Sequence, residues 1–429
     1  MNWSRREILE AGLKGAALTL AGPRQLLPDA SATVPRSHFG VHPFVEANPK
    51  AVFIRRTKVP NKLASAEKLS EGLRLAREIF VPMDGPGVPV SHRVVLKPNC
   101  ISVRSNKRPD VENMGAGTDA DFYEGMLMGL KELGLKKFSF VEANLFNTWN
   151  YRGYVDINER HGVEMNETDR RPRHFKDGYE MTWSTVPDAV VYKKIPHYAP
   201  VNEPNTWLLN IAKWKAHGMC LTQSVKNLQG MVVLPYVQFC SGWRRVTGVP
   251  DFMKEGICPD AEPRVKRYFE NHLKNGYTRY QSSTKRVNPI AQEIWAHKTC
   301  DNHSVLKPGL SMIEGIYGRD GDGFHVGDDV MANLVMFSKN PWRLDLVGLW
   351  LGGHEPGNVH LYRIAKERGL SDTFNPWEVP IYEWVNGQAV PRKLTDFPRT
   401  PLKTYYLAMP NEPEYHLVNE PFDYDKYKV

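Results

Sequence analysis

Short apolar runs alternate with amphipathic segments along most of the chain, and this alternation most limits the folds available to it. Buried strands are predicted at Arg93–Pro98 and Lys137–Ala143, and helices at Ala64–Phe80 and Asp119–Leu133. Strands separated by helices at this spacing are typical of parallel sheets. We therefore predict an α/β fold, with a mostly parallel open sheet and helices on both faces.

The second half of the chain continues the alternation. Strands are predicted at Thr206–Ile211, Leu310–Ile316, Asn333–Phe337 and Leu344–Leu351, and a helix at Leu221–Gln229. The predicted organisation is a linker or arm at 33–50, an α/β domain at 51–372 with an insertion at about 239–300, and an irregular wrapping tail at 373–429.

The N-terminus carries a specific export signal. Ser4–Leu9 follows the twin-arginine pattern S-R-R-x-hydrophobic-Leu, a weakly apolar segment comes next, and Ala30–Ala32 matches an A-x-A cleavage site. Residues 1–32 are therefore predicted to be a twin-arginine signal peptide, recognised by the twin-arginine export machinery. We expect a periplasmic or otherwise exported protein. No stretch approaches 18 apolar residues, so no stable membrane span is expected.

Net charge and cysteine spacing limit the classes of ligand and cofactor that the chain is expected to bind. The formal net charge is +8, with basic residues scattered along the chain, which suits a small anionic or carbohydrate-like ligand rather than nucleic acid. The five cysteines include no C-x-x-C pair, so no iron–sulfur cluster is expected.

Polar residues cluster where the predicted strands end. Ligands of open parallel sheets bind beyond the carboxyl ends of the strands, so these residues are expected to meet in one site. The five strand ends carry Lys97 and Asn99; Glu142 and Asn144; Lys213, Lys215 and His217; Glu314 with the loop Gly318–His325; and Gly352–Glu355.

The stretch Trp207–Met231 is the densest of these. A helix beginning near Cys220 would present Thr222 and Lys226 on one face, followed by Asn227, and its N-terminal N–H groups would favour an anion. His217 is interpreted as a general base, a metal ligand or a structural residue, and the lysines as anion-binding or merely solvated.

The segment Asp320–Gly323, with sequence DGDG, resembles part of a calcium loop. Phe324 occupies the third ligand position and no glutamate closes the loop, so a plain Gly–Asp turn is the competing interpretation. Asp320 is retained as a candidate ligand for a divalent metal, a cofactor that this sequence permits without requiring.

Several of these segments together resemble the family catalogued as "domain of unknown function 362". The resemblance runs from about Ala51 to Leu370 and includes VVLKPN at Val94–Asn99, KWKAHGMCLTQSVKNLQGM at Lys213–Met231 and MIEGIYGRDGDG at Met312–Gly323. It implies an α/β sheet domain and no agreed activity. The chain departs from some members in lacking ferredoxin-like cysteine motifs.

The sequence is most consistent with an exported enzyme that acts on an anionic small molecule or sugar derivative, by Lys/His acid–base or metal-assisted chemistry. His217, Lys215 and Glu142 are the catalytic candidates. The predicted substrate-binding residues are Lys97, Asn99, Asn144, Lys213, Thr222, Lys226 and Asn227. Two alternatives stay open: a cofactor- or metal-binding redox accessory protein, and a ligand-binding protein without chemistry.

Overall fold

The computed structural model describes residues 37–100, 113–144, 147–168, 181–233, 254–275, 289–406 and 414–427. The predicted signal peptide and Cys240 lie outside these ranges. Cys100, Cys220, Cys258 and Cys300 are buried free thiols. Within the described ranges, every helix is too short or too polar to cross a membrane.

The first half of the domain contains the predicted strands and helices at nearly their predicted bounds. The strands are β1 (His38–Val41), β2 (Val52–Arg56), β3 (Phe80–Met83), β4 (Val88–Pro89), β5 (Arg93–Pro98), β6 (Lys137–Glu142) and β7 (Glu164–Glu167). The helices are α1 (Pro43–Ala47), α2 (Ser65–Ile79), α3 (Ala120–Glu132), α4 (Thr148–Tyr151) and α5 (Tyr154–His161).

The second half contains the longest strands and two further strands at one edge of the sheet. Its strands are β8 (Met181–Thr185), β9 (Lys194–Tyr198), β10 (Thr206–His217), β11 (Cys220–Thr222), β12 (Leu310–Arg319), β13 (Asp329–Ser338), β14 (Ile381–Val385) and β15 (Gln388–Arg392). Its helices are α6 (Ser224–Asn227), α7 (Ala261–Lys274), α8 (Pro289–Val305), α9 (Pro341–Leu351) and α10 (His360–Glu367).

A ten-stranded mixed sheet forms the centre of the domain. Its strand order is β15-β14-β2-β13-β12-β10-β5-β6-β7, with β11 paired to β10. The run β12-β10-β5-β6-β7 is parallel throughout, whereas β13 is antiparallel to both of its neighbours. The predicted α/β class is confirmed, and the parallel half places several carboxyl ends along one edge.

Alternating side chains of the strands enter two different cores. In β2, Val52 and Ile54 join one core with α9 and α10, while Phe53 joins the core beneath α2 and α3. This follows from the two-residue period of a strand. Both faces of the sheet are therefore covered, which explains why the central strands β5, β6, β10 and β12 are buried over most of their length.

Two sequence predictions around the sheet are wrong. Leu344–Leu351 was expected to be a strand but lies within helix α9, every residue of which is buried. A short continuous apolar run does not distinguish a buried strand from a buried helix, because it lacks any periodicity. Consequently the following segment, with the buried His354, is not a fifth strand end.

The predicted helix Leu221–Gln229 is also largely wrong. Cys220–Thr222 instead forms β11, which returns antiparallel along β10, and α6 is only one turn long before a 3-10 turn at Leu228–Met231. Strand β10 extends to His217, six residues beyond its predicted end. Lys213, Lys215 and His217 therefore lie on a strand rather than on a turn.

The segments outside the predicted domain core are partly structured. Within the predicted arm, β1 forms a separate small sheet with β3 and β4. In the predicted tail, β14 pairs parallel to β2 and so extends the main sheet. The predicted insertion includes α7 and most of α8.

Candidate functional site

Three lysines at or near the sheet are fully buried and each has a carboxylate partner. Lys68 Nζ lies 2.6 Å from Asp119 Oδ2, Lys97 Nζ lies 2.5 Å from Glu142 Oε2, and Lys213 Nζ lies 2.6 Å from Glu314 Oε2. Burying a lone ammonium is costly, so paired carboxylates are the expected arrangement.

The Lys97–Glu142 pair joins the carboxyl ends of β5 and β6. Lys97 also donates to the carbonyl of Pro98, at 2.8 Å. Glu142 accepts backbone N–H groups from Cys100, at 3.2 Å, and Ala143, at 2.8 Å. Both oxygens of Glu142 are therefore engaged, which favours an orienting role over its predicted role in proton transfer.

Glycine at position 230 permits this pair to approach the turn after α6. A Cβ on Gly230 would lie 2.2 Å from Glu142 Oε1 and 2.9 Å from Lys97 Nζ. These separations are shorter than van der Waals contact. Any side chain at Gly230 would therefore displace the ion pair.

Asn227 connects α6 to two strands. Its Oδ1 accepts from Asn99 Nδ2 at 3.0 Å and from Lys97 Nζ at 3.2 Å, and its Nδ2 donates to Asn210 Oδ1 at 2.8 Å. Lys97, Asn99, Glu142 and Asn227 were predicted to belong to one site, and the structure brings them together. Sequence reasoning missed Asn210, which sits inside an apolar strand.

The Lys213–Glu314 pair belongs to a second buried network. Tyr317 donates to Asp119 Oδ2 at 2.5 Å, and Lys213 Nζ lies 3.6 Å from the centre of the Tyr317 ring. Burial is the largest influence and raises the pKa of Asp119, but the charge of Lys68 and the hydrogen bonds from Lys68 and Tyr317 together outweigh burial and hold that pKa below its usual value. Lys213 is thus paired with Glu314 inside the protein, and its role in substrate binding stays a prediction.

Lys215 differs from these lysines because no carboxylate in the described part of the chain pairs with it. Its side chain is fully buried, donates to the carbonyl of Gly323 at 3.1 Å, and lies 3.9 Å from the centre of the Phe324 ring. Burial lowers the pKa of the Lys215 ammonium well below its usual range, and the charge of Lys226 lowers it further. The Lys215 ammonium therefore loses its proton more readily than that of an exposed lysine.

Lys226 lies close enough to affect Lys215, Lys97 and His217 electrostatically. Only 7% of its surface is exposed. Among the described residues its ammonium has neither a hydrogen-bond acceptor nor an ion-pair partner. A buried cation of this kind is suited to an incoming anion.

His217 faces the same cluster at the end of β10. Its Nδ1 accepts the backbone N–H of Met219 at 3.2 Å, and its ring packs edge-on against Trp295 and Phe324. Burial lowers the pKa of His217 well below its usual value, and Lys226 and Lys215 contribute in the same direction. The neutral ring consequently carries its proton on Nε2, which can donate to a ligand.

Two polar atoms in this region are buried without a partner in the described chain. Thr222 Oγ1 belongs to the residue that pairs with Lys215 across β10 and β11, and Asn99 Oδ1 lies beside Asn227. Buried polar atoms are usually hydrogen-bonded, so each is a candidate contact for a bound molecule.

Asp345 positions the segment that carries Lys226. Its carboxylate accepts the N–H groups of Ser224 and Val225 at 2.8 and 3.0 Å, and the Ser224 hydroxyl at 2.5 Å. The first N–H groups of α6 are therefore occupied. This corrects the predicted anion site at a free helix N-terminus, because a buried carboxylate already occupies that position.

The remaining predicted residues have local roles. Asn144 accepts the N–H of Trp149 at 3.0 Å and donates to Glu167 at 2.8 Å. Asp320 Oδ1 accepts the N–H of Asp328 at 2.6 Å across its loop. In the described part of the chain, no group of three or more His, Cys, Asp or Glu side chains is arranged to hold a metal ion.

Two arginines add positive charge to the site. Arg152 had no recognisable sequence signal, whereas Arg319 lies in the loop Gly318–His325 that was predicted to reach the site. Arg319 pairs with Lys215 across β12 and β10, and it forms an ion pair with Asp329 at 2.8 Å. Arg152 lies against Gly117, and its positive charge contributes to lowering the pKa of Lys215. Both come from segments whose proximity only the folded chain establishes.

Comparison with known proteins identifies the family. The model of the family described as "Domain of unknown function (DUF362)" matches residues 94–350, more than half of the chain, and the chain therefore belongs to this family. No curated protein and no solved structure matches it significantly.

Proposed function

We propose that this DUF362 member is an enzyme that binds a small anionic molecule between Lys215, Lys226 and His217. The observation that carries the proposal is the contrast among the buried lysines. Lys97 and Lys213 each have a carboxylate within 2.6 Å, whereas Lys215 and Lys226 have none among the described residues. A carboxylate or phosphate would supply the missing negative charge.

Acid–base chemistry follows from the same cluster. His217 is neutral and presents Nε2–H, and its neighbouring amine at Lys215 is inclined to be unprotonated. A hydrogen-bond donor beside a basic amine can move a proton between two atoms of one substrate. Isomerisation, elimination and hydrolysis are all compatible with this pair, and a sugar acid would satisfy both the charge and the polar contacts.

Anion binding is tested by calorimetric titration with phosphate, succinate, glucuronate and 2-oxoglutarate. At least one is expected to bind, and Lys226→Gln should weaken it about tenfold or more, because a charge-assisted hydrogen bond contributes roughly 1.5–3 kcal/mol. The matched control is Lys266→Gln, since Lys266 is exposed and makes only a 3.8 Å surface pair with Glu270. Equal loss in both variants, or no binding by any of these anions, would refute anion binding here.

Catalysis is tested separately from binding. For an anion that binds, exchange of its carbon-bound hydrogens with deuterated solvent is followed by proton NMR. Exchange is expected with the wild-type protein, and loss of exchange with retained binding is expected for His217→Gln. Retained binding without exchange or turnover in the wild type would instead favour the non-catalytic ligand-binding alternative.

We further propose that the protein is exported through the twin-arginine route. The support is the sequence Ser4–Leu9 followed by Ala30–Ala32. Replacing Arg5 and Arg6 with lysine should leave the protein in the cytoplasmic fraction, whereas the wild type should be recovered outside the cytoplasm with a shortened N-terminus.

A further inference from the structure

Lys215 has the surroundings of a nucleophile rather than of a simple anion-binding lysine. Its Nζ contacts one backbone carbonyl, that of Gly323, and one aromatic face, that of Phe324. Neither group supplies the negative charge that would hold an ammonium in place. A desolvated lysine beside another cation is the usual arrangement for an amine that attacks a carbonyl.

The groups around Lys215 match a carbonyl next to a carboxylate. Lys226 is a second cation without a carboxylate partner among the described residues, so it can hold the carboxylate. Thr222 Oγ1 is a buried hydroxyl on the strand paired with Lys215, and His217 offers Nε2–H. These two can contact the carbonyl oxygen.

We propose that Lys215 forms an imine with the carbonyl carbon of a 2-oxo carboxylate whose carboxylate is held by Lys226. This rests on the proposed anion site and assigns its substrate class. Three observations on the described part of the chain carry it: Lys226 has no carboxylate partner there, the buried Thr222 hydroxyl has no hydrogen-bond partner there, and no carboxylate there pairs with Lys215.

The covalent step balances without an external oxidant or reductant. The lone pair of Lys215 Nζ forms a bond to the carbonyl carbon, the carbonyl oxygen takes a proton, and Nζ loses one, which gives a carbinolamine. The C–O bond then breaks as that oxygen takes a second proton and leaves as water. The nitrogen lone pair forms the C=N bond, so one amine, one ketone and one proton give one iminium ion and one water.

The turn that covers Lys215 must lose its contact with the amine when the imine forms. Gly323 contributes the carbonyl that Lys215 contacts, and its φ is +73°. A Cβ there would lie 1.8 Å from the carbonyl oxygen of Ala216, so this turn closes over β10 only with glycine. Loss of the Lys215 contact frees that carbonyl as the amine turns toward its substrate.

Reductive trapping tests the proposal directly. The protein is incubated with pyruvate, 2-oxoglutarate or glyoxylate and sodium cyanoborohydride, which reduces an iminium to a stable secondary amine. Peptide mapping by mass spectrometry is expected to locate the adduct on Lys215, in large excess over adducts on Lys97 and Lys213. An absence of Lys215 adduct with all three oxo acids overturns the proposal, as does labelling no stronger than at the paired lysines.

Succinate binding to the wild-type protein separates this step from anion binding. Lys215→Arg cannot form an imine, so the adduct trapped at residue 215 should disappear in this variant. If succinate binds and no adduct forms in the wild type, the imine is refuted and the anion site stands. If neither succinate nor any oxo acid binds, the proposed function fails as well. Mapping on the wild-type protein decides the case even if this variant does not fold.

Discussion

Lys213 and Lys215 lie two residues apart on strand β10 and are both fully buried, yet among the residues that the structure describes only Lys213 has a carboxylate partner. Lys213 stabilises the fold through Glu314. Lys215 is a buried amine whose nearest charged neighbours include Lys226, and it therefore costs stability in the absence of a ligand. Residues that reduce stability in this way are characteristic of functional sites.

Methionine at the two positions should have opposite effects on stability. Lys215→Met removes a buried unpaired amine and should raise the free energy of unfolding by about 1–3 kcal/mol, while anion binding is lost. Lys213→Met leaves Glu314 buried without its cation and should lower that free energy by about 3–5 kcal/mol. Urea unfolding at pH 7 measures both changes in free energy. A lower unfolding free energy for Lys215→Met than for the wild type would contradict the conclusion that Lys215 reduces stability.

The pH dependence of stability should reflect Lys215 as well. Its pKa in the folded chain lies below the ordinary value of 10.5, so the unfolded chain binds more protons and stability rises with pH toward 10.5. Lys215→Met lacks this contribution. The difference in unfolding free energy between the variant and the wild type should therefore shrink as pH rises from 7 to 10, and a difference independent of pH would count against a depressed pKa.

Thr222→Val should lower the affinity for the anion without lowering the stability of the fold. Valine has nearly the same shape as threonine, and Thr222 Oγ1 has no hydrogen-bond partner that the variant would lose in the described chain. The melting temperature should stay equal or rise slightly, whereas affinity for the bound anion should fall about tenfold, the effect of one hydrogen bond of roughly 1–1.5 kcal/mol. Unchanged affinity in calorimetric titration would remove Thr222 from the site.

Gly230→Ala should disrupt the Lys97–Glu142 pair. The added methyl would overlap Glu142 Oε1 and approach Lys97 Nζ, so the turn must shift or the ion pair must separate. We expect a loss of about 1–3 kcal/mol in unfolding free energy, the usual cost of overpacking. Gly134→Ala is no suitable control because of its positive φ, but Gly85→Ala is, since open space surrounds that residue.

His272 should make the stability of the domain depend on alkaline pH. Burial opposes its charge, but its ion pairs with the carboxylates of Glu293 and Glu367, at 2.8 and 2.9 Å, together outweigh burial and raise the pKa of His272 to about 9. Because this pKa exceeds the unfolded value of 6.5, the stabilisation is fully present below pH 6.5 and is lost as pH rises through 9.

The expected loss is about 3 kcal/mol, and it should be absent in His272→Asn. Unfolding free energies of both proteins between pH 6 and 10 provide the measurement. A wild-type protein whose stability relative to His272→Asn does not change over this range would show that the imidazole is not held charged.

Much of the sheet could be predicted because its signals are local. The strand Arg93–Pro98 has the same bounds in the structure as in the prediction, and Asp119 caps α3 where its sequence position indicated. The failures arose where local patterns were ambiguous. Leu344–Leu351 has no periodicity, and Cys220–Thr222 has apolar residues that suit a strand or a helix equally.

The sequence predicted which residues lie in the candidate site better than it predicted what each residue does there. Lys97, Glu142 and Asn227 meet as expected, since the carboxyl ends of parallel strands share one edge. Asn144 and Asp320 stabilise their own loops through backbone N–H groups, a use that residue type alone does not distinguish from ligand binding.

The sequence by itself determined the α/β class, the family and the density of lysines in Trp207–Met231, because these depend on residue type and spacing along the chain. Only the tertiary structure decided which of those lysines are paired. Lys213 and Glu314 are 101 residues apart in the sequence, and Lys97 and Glu142 are 45 residues apart. Local sequence patterns therefore predict neither ion pair. The charge state of a buried lysine depends on what surrounds it in space. For that reason the distinction between Lys213, which is paired with Glu314, and Lys215, which has no carboxylate partner among the described residues, exists only in the folded chain.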